Sequence, residues 1–310
     1  IVYLMNIIVT TTINKPTKAI LKFANLKSWH LIVVADKKTP LQNFKKLKNI
    51  TLLKCEDQKK ISSKLSELIG WNSIQRRNFG FIEAKKLGAK IVATVDDDNI
   101  PYNNWGININ FNNVKVKKFY EKNLVFNPLK QFKHFNKLWH RGYPIELVQN
   151  DNFIVKYQLK YEDFAVRADL WNGNPDIDSI NRLTLKKIKF KFNNNYFFSS
   201  NKISPFNSQN TFIRSDILKH YFMFPHIGRL DDIWASYYIQ SLGHKVCYGP
   251  ATVFQERNYH DYSNDFKEEI IGYKNTLNLC KSLLKNPKSI KKFLPPKSYR
   301  AFITYQNLLR

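Results

Sequence analysis

Cysteine is nearly missing from this sequence, with three residues in 310. Cys55, Cys247 and Cys280 are odd in number and widely spaced, which excludes a disulfide framework and a zinc motif and makes a reducing, cytoplasmic setting the expectation. Long apolar runs are also lacking. No stretch approaches the roughly 18 to 20 apolar residues of a membrane helix, and Ile1 to Thr12 is too short and too β-branched for a signal peptide, so it reads as a first strand. No repeat, Gly/Ser linker or low-complexity tract is present. Acidic residues are scarce as well: 24 Asp and Glu stand against 50 Lys and Arg, a formal charge of +26. Such a surface attracts phosphate-rich partners and allows peripheral contact with an anionic membrane. No helix-turn-helix, RRM or zinc pattern accompanies it, so a specific nucleic-acid partner is not expected.

What the chain does contain is core material, 43% apolar and 15% aromatic, enough for one large α/β domain or two small ones. Strand-like runs at Asn6 to Thr12, His30 to Ala35, Ile50 to Leu53 and Ile91 to Val95 alternate with helical stretches. That alternation predicts a doubly wound, mostly parallel central sheet with helices on both faces. Ligands then gather at the strands' carboxyl ends, at Thr10, Thr11 and Thr12, at Asp36, and at Asp96 to Asp98.

Asp96-Asp97-Asp98 leaves the last of these runs directly. Three neighbouring carboxylates repel one another unless a cation relieves them, and an all-oxygen set suits Mg²⁺ or Mn²⁺. A polar turn that stops a strand before Pro101 is the plainer alternative. An EF-hand is excluded, because Pro101 and Ile107 stand where Gly and Glu are needed.

Two helices flank this cluster in the reading. Ile74 to Leu87 carries Gly80, Phe81, Ala84 and Leu87 on one buried stripe, is stopped by Gly88, and has Arg77 at its start, by default a surface arginine. The second begins at Gly228, with Ala235, Tyr238, Ile239 and Leu242 as its stripe. One aspartate at its start would serve as a cap, so Asp231 and Asp232 together leave a carboxylate over to accept a proton. Asp176 and Asp178 read as a surface turn, Asn207 to Asn210 as a donor- and acceptor-rich cluster, and Trp234 as the tryptophan near the site. The stretch after Tyr262 is basic and helical, and reads as a solvated tail.

Taken in order, Val34-Ala35-Asp36-Lys37-Lys38-Thr39-Pro40, Arg77-Asn78-Phe79-Gly80-Phe81, Val95-Asp96-Asp97-Asp98-Asn99, Arg141-Gly142-Tyr143-Pro144, Asn172 to Asp178 with Arg182-Leu183-Thr184, Pro205 to Thr211 and Asp232-Ile233-Trp234 resemble the STELLO family of glycosyltransferase-like proteins. More distantly they resemble the reversibly glycosylated polypeptides, which are UDP-sugar mutases. The resemblance spans about residues 29 to 243.

It implies a GT-A-like fold, a nucleotide-diphospho-sugar donor, with a UDP-sugar first in line, Mn²⁺ or Mg²⁺, and a glycan or other hydroxyl acceptor. Under it Asp96, Asp98 and His260 are metal ligands; Thr10, Thr11, Asp36, Arg77 and Asp97 contact the nucleotide sugar. Asp232 is the general base of an inverting displacement, and Arg141, Asp176, Asp178, Asn207, Gln209, Asp231 and Trp234 contact sugar or acceptor. The expected layout is a catalytic domain over 1–262, split into a donor half (1–140) and an acceptor half (141–262), with a basic helical extension over 263–310. Arg141 matches the arginine that carries sugar in the mutases, but Val148 replaces their second arginine, which leaves Arg141 as a phosphate or substrate contact. A mutase, a basic nucleic-acid-binding protein and a non-catalytic scaffold are the alternatives.

Overall fold

A computed structural model of the chain describes residues 6–132, 135, 137–150, 156–174, 177–185, 189–257 and 261–310. Strands β1 (Asn6–Thr12), β2 (His30–Ala35), β3 (Ile50–Leu53) and β4 (Ile91–Val95) fall on the four expected runs. They pair in parallel in the order β3-β2-β1-β4. β-branched residues buried on both faces explain why these runs read as continuous apolar stretches rather than alternating ones. Helices α1 (Lys18–Ala24), α2 (Cys55–Ile61), α3 (Ser63–Ile69) and α4 (Arg77–Lys86) cross between them.

Beyond β4 the sheet is mixed. Strand β5 (Asn99–Pro101) is followed by β6 (Val114–Phe119), β7 (Tyr157–Glu162), β8 (Val166–Gly173), β9 (Phe197–Ser200), β10 (Asn210–Arg214) and β11 (Val246–Gln255). The order continues β4-β10-β8-β11-β9-β6-β7, with β5 paired to β11, giving eleven strands among the described residues. β10 runs antiparallel to both β4 and β8, while β8 and β11 are parallel. The alternation that predicts parallel strands therefore holds for the first half of the sheet, although the β2-to-β3 connection carries only a short 3-10 turn (Leu41–Phe44).

Helix α4 lies against β1 and β2 because residue 80 is glycine: a Cβ there would stand 2.3 Å from Val9 Cγ1 and 2.9 Å from Val34 Cγ2. The predicted stripe holds for Gly80, Phe81 and Ala84, but Leu87 is exposed. It is the C-cap, and the left-handed Gly88 turns the chain away there (φ 77°). Helix α6 (Asp231–Ser241) is buried from Asp231 to Ile239 on every side rather than along one stripe, because helix α7 (Tyr262–Lys285) covers its outer face, with Trp234 Nε1 donating to Thr276 Oγ1 at 3.2 Å.

The C-terminal helices are not a solvated tail. Leu279, Cys280 and Leu283 of α7 belong to the main core, as do Ala301, Phe302 and Tyr305 of α8 (Pro296–Leu308). Tyr305 Oη also donates to the carbonyl of Leu218. Exposed lysines on α7, on the segment Pro287–Lys292 that joins it to α8, and at Lys297 account for the basic composition, while the apolar residues at helical spacing face inward. Among the described residues no helix is long and apolar enough to cross a membrane.

Candidate functional site

At the carboxyl ends of β1, β4 and β11 lies a cavity of about 280 Å³, lined by residues including Thr11, Arg77, Asp96, Asp97, Asp98, Arg141, Asp231 and Asp232. A second cavity of about 240 Å³ adjoins it over β1 and β2 and includes Thr11, Thr12, Asp36, Arg76 and Asp97. Thr11, Ile74 and Asp97 border both. Asp36 and Asp232 therefore line neighbouring cavities that share a wall. This is the place that the parallel half-sheet predicts for a ligand.

The acidic loop is pinned from three sides. Asp96 N donates to the carbonyl of Gln209 ahead of β10, and Glu256 N, just past β11, donates to the carbonyl of Asp98. Asp97 is tied to the end of β1: Thr12 Oγ1 and Asn14 Nδ2 donate to its Oδ2, and Thr17 Oγ1 donates to its carbonyl. Asp96 receives Arg77 Nη2 at 2.7 Å, and Asp98 receives Gln255 Nε2 at 3.3 Å. Burial raises the Asp96 carboxyl above its ordinary range, although the Arg77 charge opposes this. Asp98 is pushed up to about 7, first by burial and then by the Asp96 charge.

The plain surface reading of Arg77 is overturned by its burial, at 1% exposure. Its Nη1 donates to Thr94 Oγ1 and to the carbonyl and hydroxyl of Ser208, and its Nη2 reaches Thr11 Oγ1 as well as Asp96. So occupied, Arg77 braces Asp96 and counters its charge from below.

Opposite the acidic loop, α6 presents two carboxylates. Asp232 Oδ2 accepts from the backbone N–H and the hydroxyl of Ser208 at 2.8 and 2.9 Å, and Asp232 is ion-paired with Arg141 at 3.1 Å. Asp231 Oδ2 accepts from Gln75 Nε2 at 2.8 Å. Burial, followed by the neighbouring Asp232 charge, pushes the Asp231 carboxyl up to about 7. Arg141 reaches Asp232 because Gly142 lets its loop touch α6: at φ 71° a Cβ would stand 2.4 Å from Ile233 Cγ2, and Tyr237 Oη donates to the Gly142 carbonyl.

Asn207 and Gln209 form a relay rather than a free polar cluster. Asn207 Nδ2 donates to Gln209 Oε1, Gln209 Nε2 to Gln255 Oε1, and Gln255 Nε2 to Asp98. Asp36 accepts from Lys37 N and Ser73 N at the end of the second cavity. Thr10 is fully buried and lines neither cavity, whereas Thr11 lines both.

Two expected sugar contacts lie elsewhere. Trp234 is fully buried, its indole N–H taken by Thr276, because α7 covers it. Asp178 caps α5 (Ser179–Thr184) through Ile180 N and is fully buried beside Glu269 and Tyr273. Asp176 and His260 lie outside the described residues.

Several lining residues escaped the sequence reading, namely Gln75, Gln255, Arg229 and Arg257. Arg229 donates to Glu269 and Asp265, and Arg257 to Asp265, so α7 holds both arginines at the cleft. The available signal was that Gln255-Glu256-Arg257 leaves a strand run just as Asp96-Asp97-Asp98 does.

Among the described residues no group of three His, Cys, Asp or Glu side chains converges as a metal cage. The donor set nevertheless fits a hard divalent cation. Two partly hydrogen-bonded carboxylates, Asp96 and Asp98, repel each other in a half-buried loop, and such a cation would leave coordination positions for water and phosphate oxygens.

Fold and cleft together define an α/β protein with an acidic, arginine-braced site at its strand ends. No protein-family model matches the sequence. The chain is similar to two probable glycosyltransferases of Arabidopsis thaliana: STELLO1, 24% identical over 227 residues, and STELLO2, 22% identical over 227 residues. The match covers 67% of this chain and 29% of each relative, so the resemblance carried by the ordered motifs is a measured, distant homology over part of those proteins. Among solved structures, a mycobacterial protein aligns with a TM-score of 0.46 and 11% identity, covering 89% of this chain and 75% of that one. The mannosyltransferase PcManGT from Pyrobaculum calidifontis, in complex with GDP-Man and Mn²⁺, aligns with a TM-score of 0.36 and 10% identity, over 98% and 84% of the two chains.

Proposed function

We propose that the protein is a glycosyltransferase that moves a sugar from a nucleotide diphosphate, UDP-sugars being the first donors to test, to an acceptor hydroxyl. The observation that carries this reading is the opposition, across one cavity, of the braced Asp96–Asp98 loop and the Asp231–Asp232 pair. The nucleoside occupies the cavity of Asp36, Thr11 and Thr12, and the diphosphate lies at the shared border near Asp97. Asp96 and Asp98 would hold Mn²⁺ or Mg²⁺, which supplies charge neutralisation and Lewis acidity at the diphosphate.

Asp231 is the better placed base. Both line the cavity, but Asp232 is engaged by the Arg141 charge and by Ser208 and so orients that arginine, while Asp231 meets the neutral Gln75 amide at its Oδ2 and has a carboxyl near 7. The acceptor oxygen forms its bond to the anomeric carbon as the bond to the diphosphate breaks. The acceptor proton passes to Asp231, the bonding pair leaves on the diphosphate, and the anomeric configuration inverts.

Calorimetry with Mn²⁺ and a panel of UDP- and GDP-sugars tests the reading; nucleotide binding that is absent, or indifferent to metal, removes it. A sugar adduct on Arg141, as in a mutase, is disfavoured because its guanidinium is ion-paired to a buried carboxylate. Contact with an anionic membrane belongs to the same reading through the +26 charge.

A further inference from the structure

The far edge of the sheet carries a feature that the cleft does not use. β7 is the last strand, paired only to β6, and Tyr157, Leu159 and Tyr161 alternate along it at 45%, 59% and 62% exposure. Alternation puts these three on one face. In register, Tyr157 is opposite Phe119, Leu159 opposite Lys117 and Tyr161 opposite Lys115, so the same face carries two lysines. Lys117 Nζ lies 4.8 Å from the Tyr157 ring centroid and 3.6 Å from that of Tyr196, and has no carboxylate partner among the described residues. Glu162, the sole acid of the two strands, is on the opposite face, held by Lys118 and Lys245.

We propose that this face of β6 and β7 docks on an anionic lipid bilayer. Three exposed apolar or amphipathic side chains interleaved with uncompensated lysines have the composition of the headgroup layer's partners: tyrosine rings sit at that depth while ammonium groups stay at the phosphates. Charge complementarity rules against a second copy of this chain, since lysine would meet lysine. An added peptide strand would use the strand edge and leave the tyrosine face bare. The proposal names the face for the membrane contact given above, and it does not depend on sugar transfer.

The test is sedimentation of the full chain with phosphatidylcholine vesicles with and without phosphatidylserine. Wild type should bind only the anionic vesicles. Lys115→Glu/Lys117→Glu should weaken binding at least about tenfold, whereas Lys45→Glu/Lys46→Glu, exposed residues that follow β2 toward the opposite edge, should change it by less than about threefold. Leu159→Ser/Tyr161→Ser should abolish the part of binding that survives high salt. Equal weakening by both charge reversals, or retention of polyglutamate with no vesicle binding, overturns the proposal. Nucleotide binding is measured in parallel, so loss of docking with donor binding intact leaves the transfer reading standing.

Discussion

Arg141 Nη2 lies 3.1 Å from Asp232 Oδ1 and 3.3 Å from Oδ2, joining a loop to the first turn of α6 inside a buried pocket. Their separation of 91 residues makes this pair a tertiary clamp, with the Ser208 hydroxyl and N–H both donating to Asp232 Oδ2. The pair ties the Arg141 loop to α6 and so organises one wall of the cleft.

The clamp separates the two neighbouring aspartates by experiment. Asp232→Asn should cost roughly 1–3 kcal/mol of stability, by removing the charge that faces Arg141 and the acceptor of the Ser208 N–H and hydroxyl, and thermal melting will show it. Asp231→Asn should keep the melting temperature within a few degrees and lower kcat by about 10²- to 10⁴-fold.

Activity should follow the ionisation of Asp231. A base must be deprotonated, and this carboxyl is raised to about 7, so kcat/KM should climb as pH passes upward through 7 and level off above it. The limb should become shallower in the residual activity of Asp231→Asn, leaving the share that comes from the Asp98 carboxyl, also raised to about 7. A profile unchanged by that substitution would assign the base elsewhere.

Chelation by EDTA should abolish nucleotide binding. Asp96→Asn and Asp98→Asn should each weaken metal-dependent binding by about 10- to 100-fold. Gln255→Leu, which removes the amide that orients Asp98, should do so more mildly. Calorimetry with Mn²⁺ and UDP reads all three.

Asp178 predicts the pH dependence of stability. Burial and the Glu269 charge raise its carboxyl to about 7, so the folded state keeps a proton that the unfolded chain has lost. Stability from this group is complete below the ordinary carboxyl range and is lost as pH rises through 7, at a slope of at most about 1.4 kcal/mol per pH unit. Asp178→Asn keeps a capping side chain at α5 and should flatten that slope in urea titrations.

Gly142→Ala should destabilise the protein by roughly 1–3 kcal/mol. The added methyl meets Ile233, and the left-handed backbone at φ 71° disfavours any side chain.

The strands of the first half were legible because runs of buried β-branched residues report their own environment, and Asp96 to Asp98 was legible because its position after such a run places it at a strand's end. The helices around the cleft were legible in place but not in depth: α6 is buried all round because α7, far along the chain, covers it.

The sequence by itself determined the alternating architecture of the first four strands, the location of an acidic cluster where a ligand gathers, and the ordered motifs shared with distant relatives. Only the tertiary structure decided that Arg77 is an internal brace, that Asp232 is ion-paired to Arg141 while Asp231 meets the Gln75 amide, and that Trp234 and Asp178 are buried in packing. The reason is physical: periodicity and turn chemistry act over a few residues, but the state of a carboxylate depends on which distant donor the fold brings within 3 Å of it.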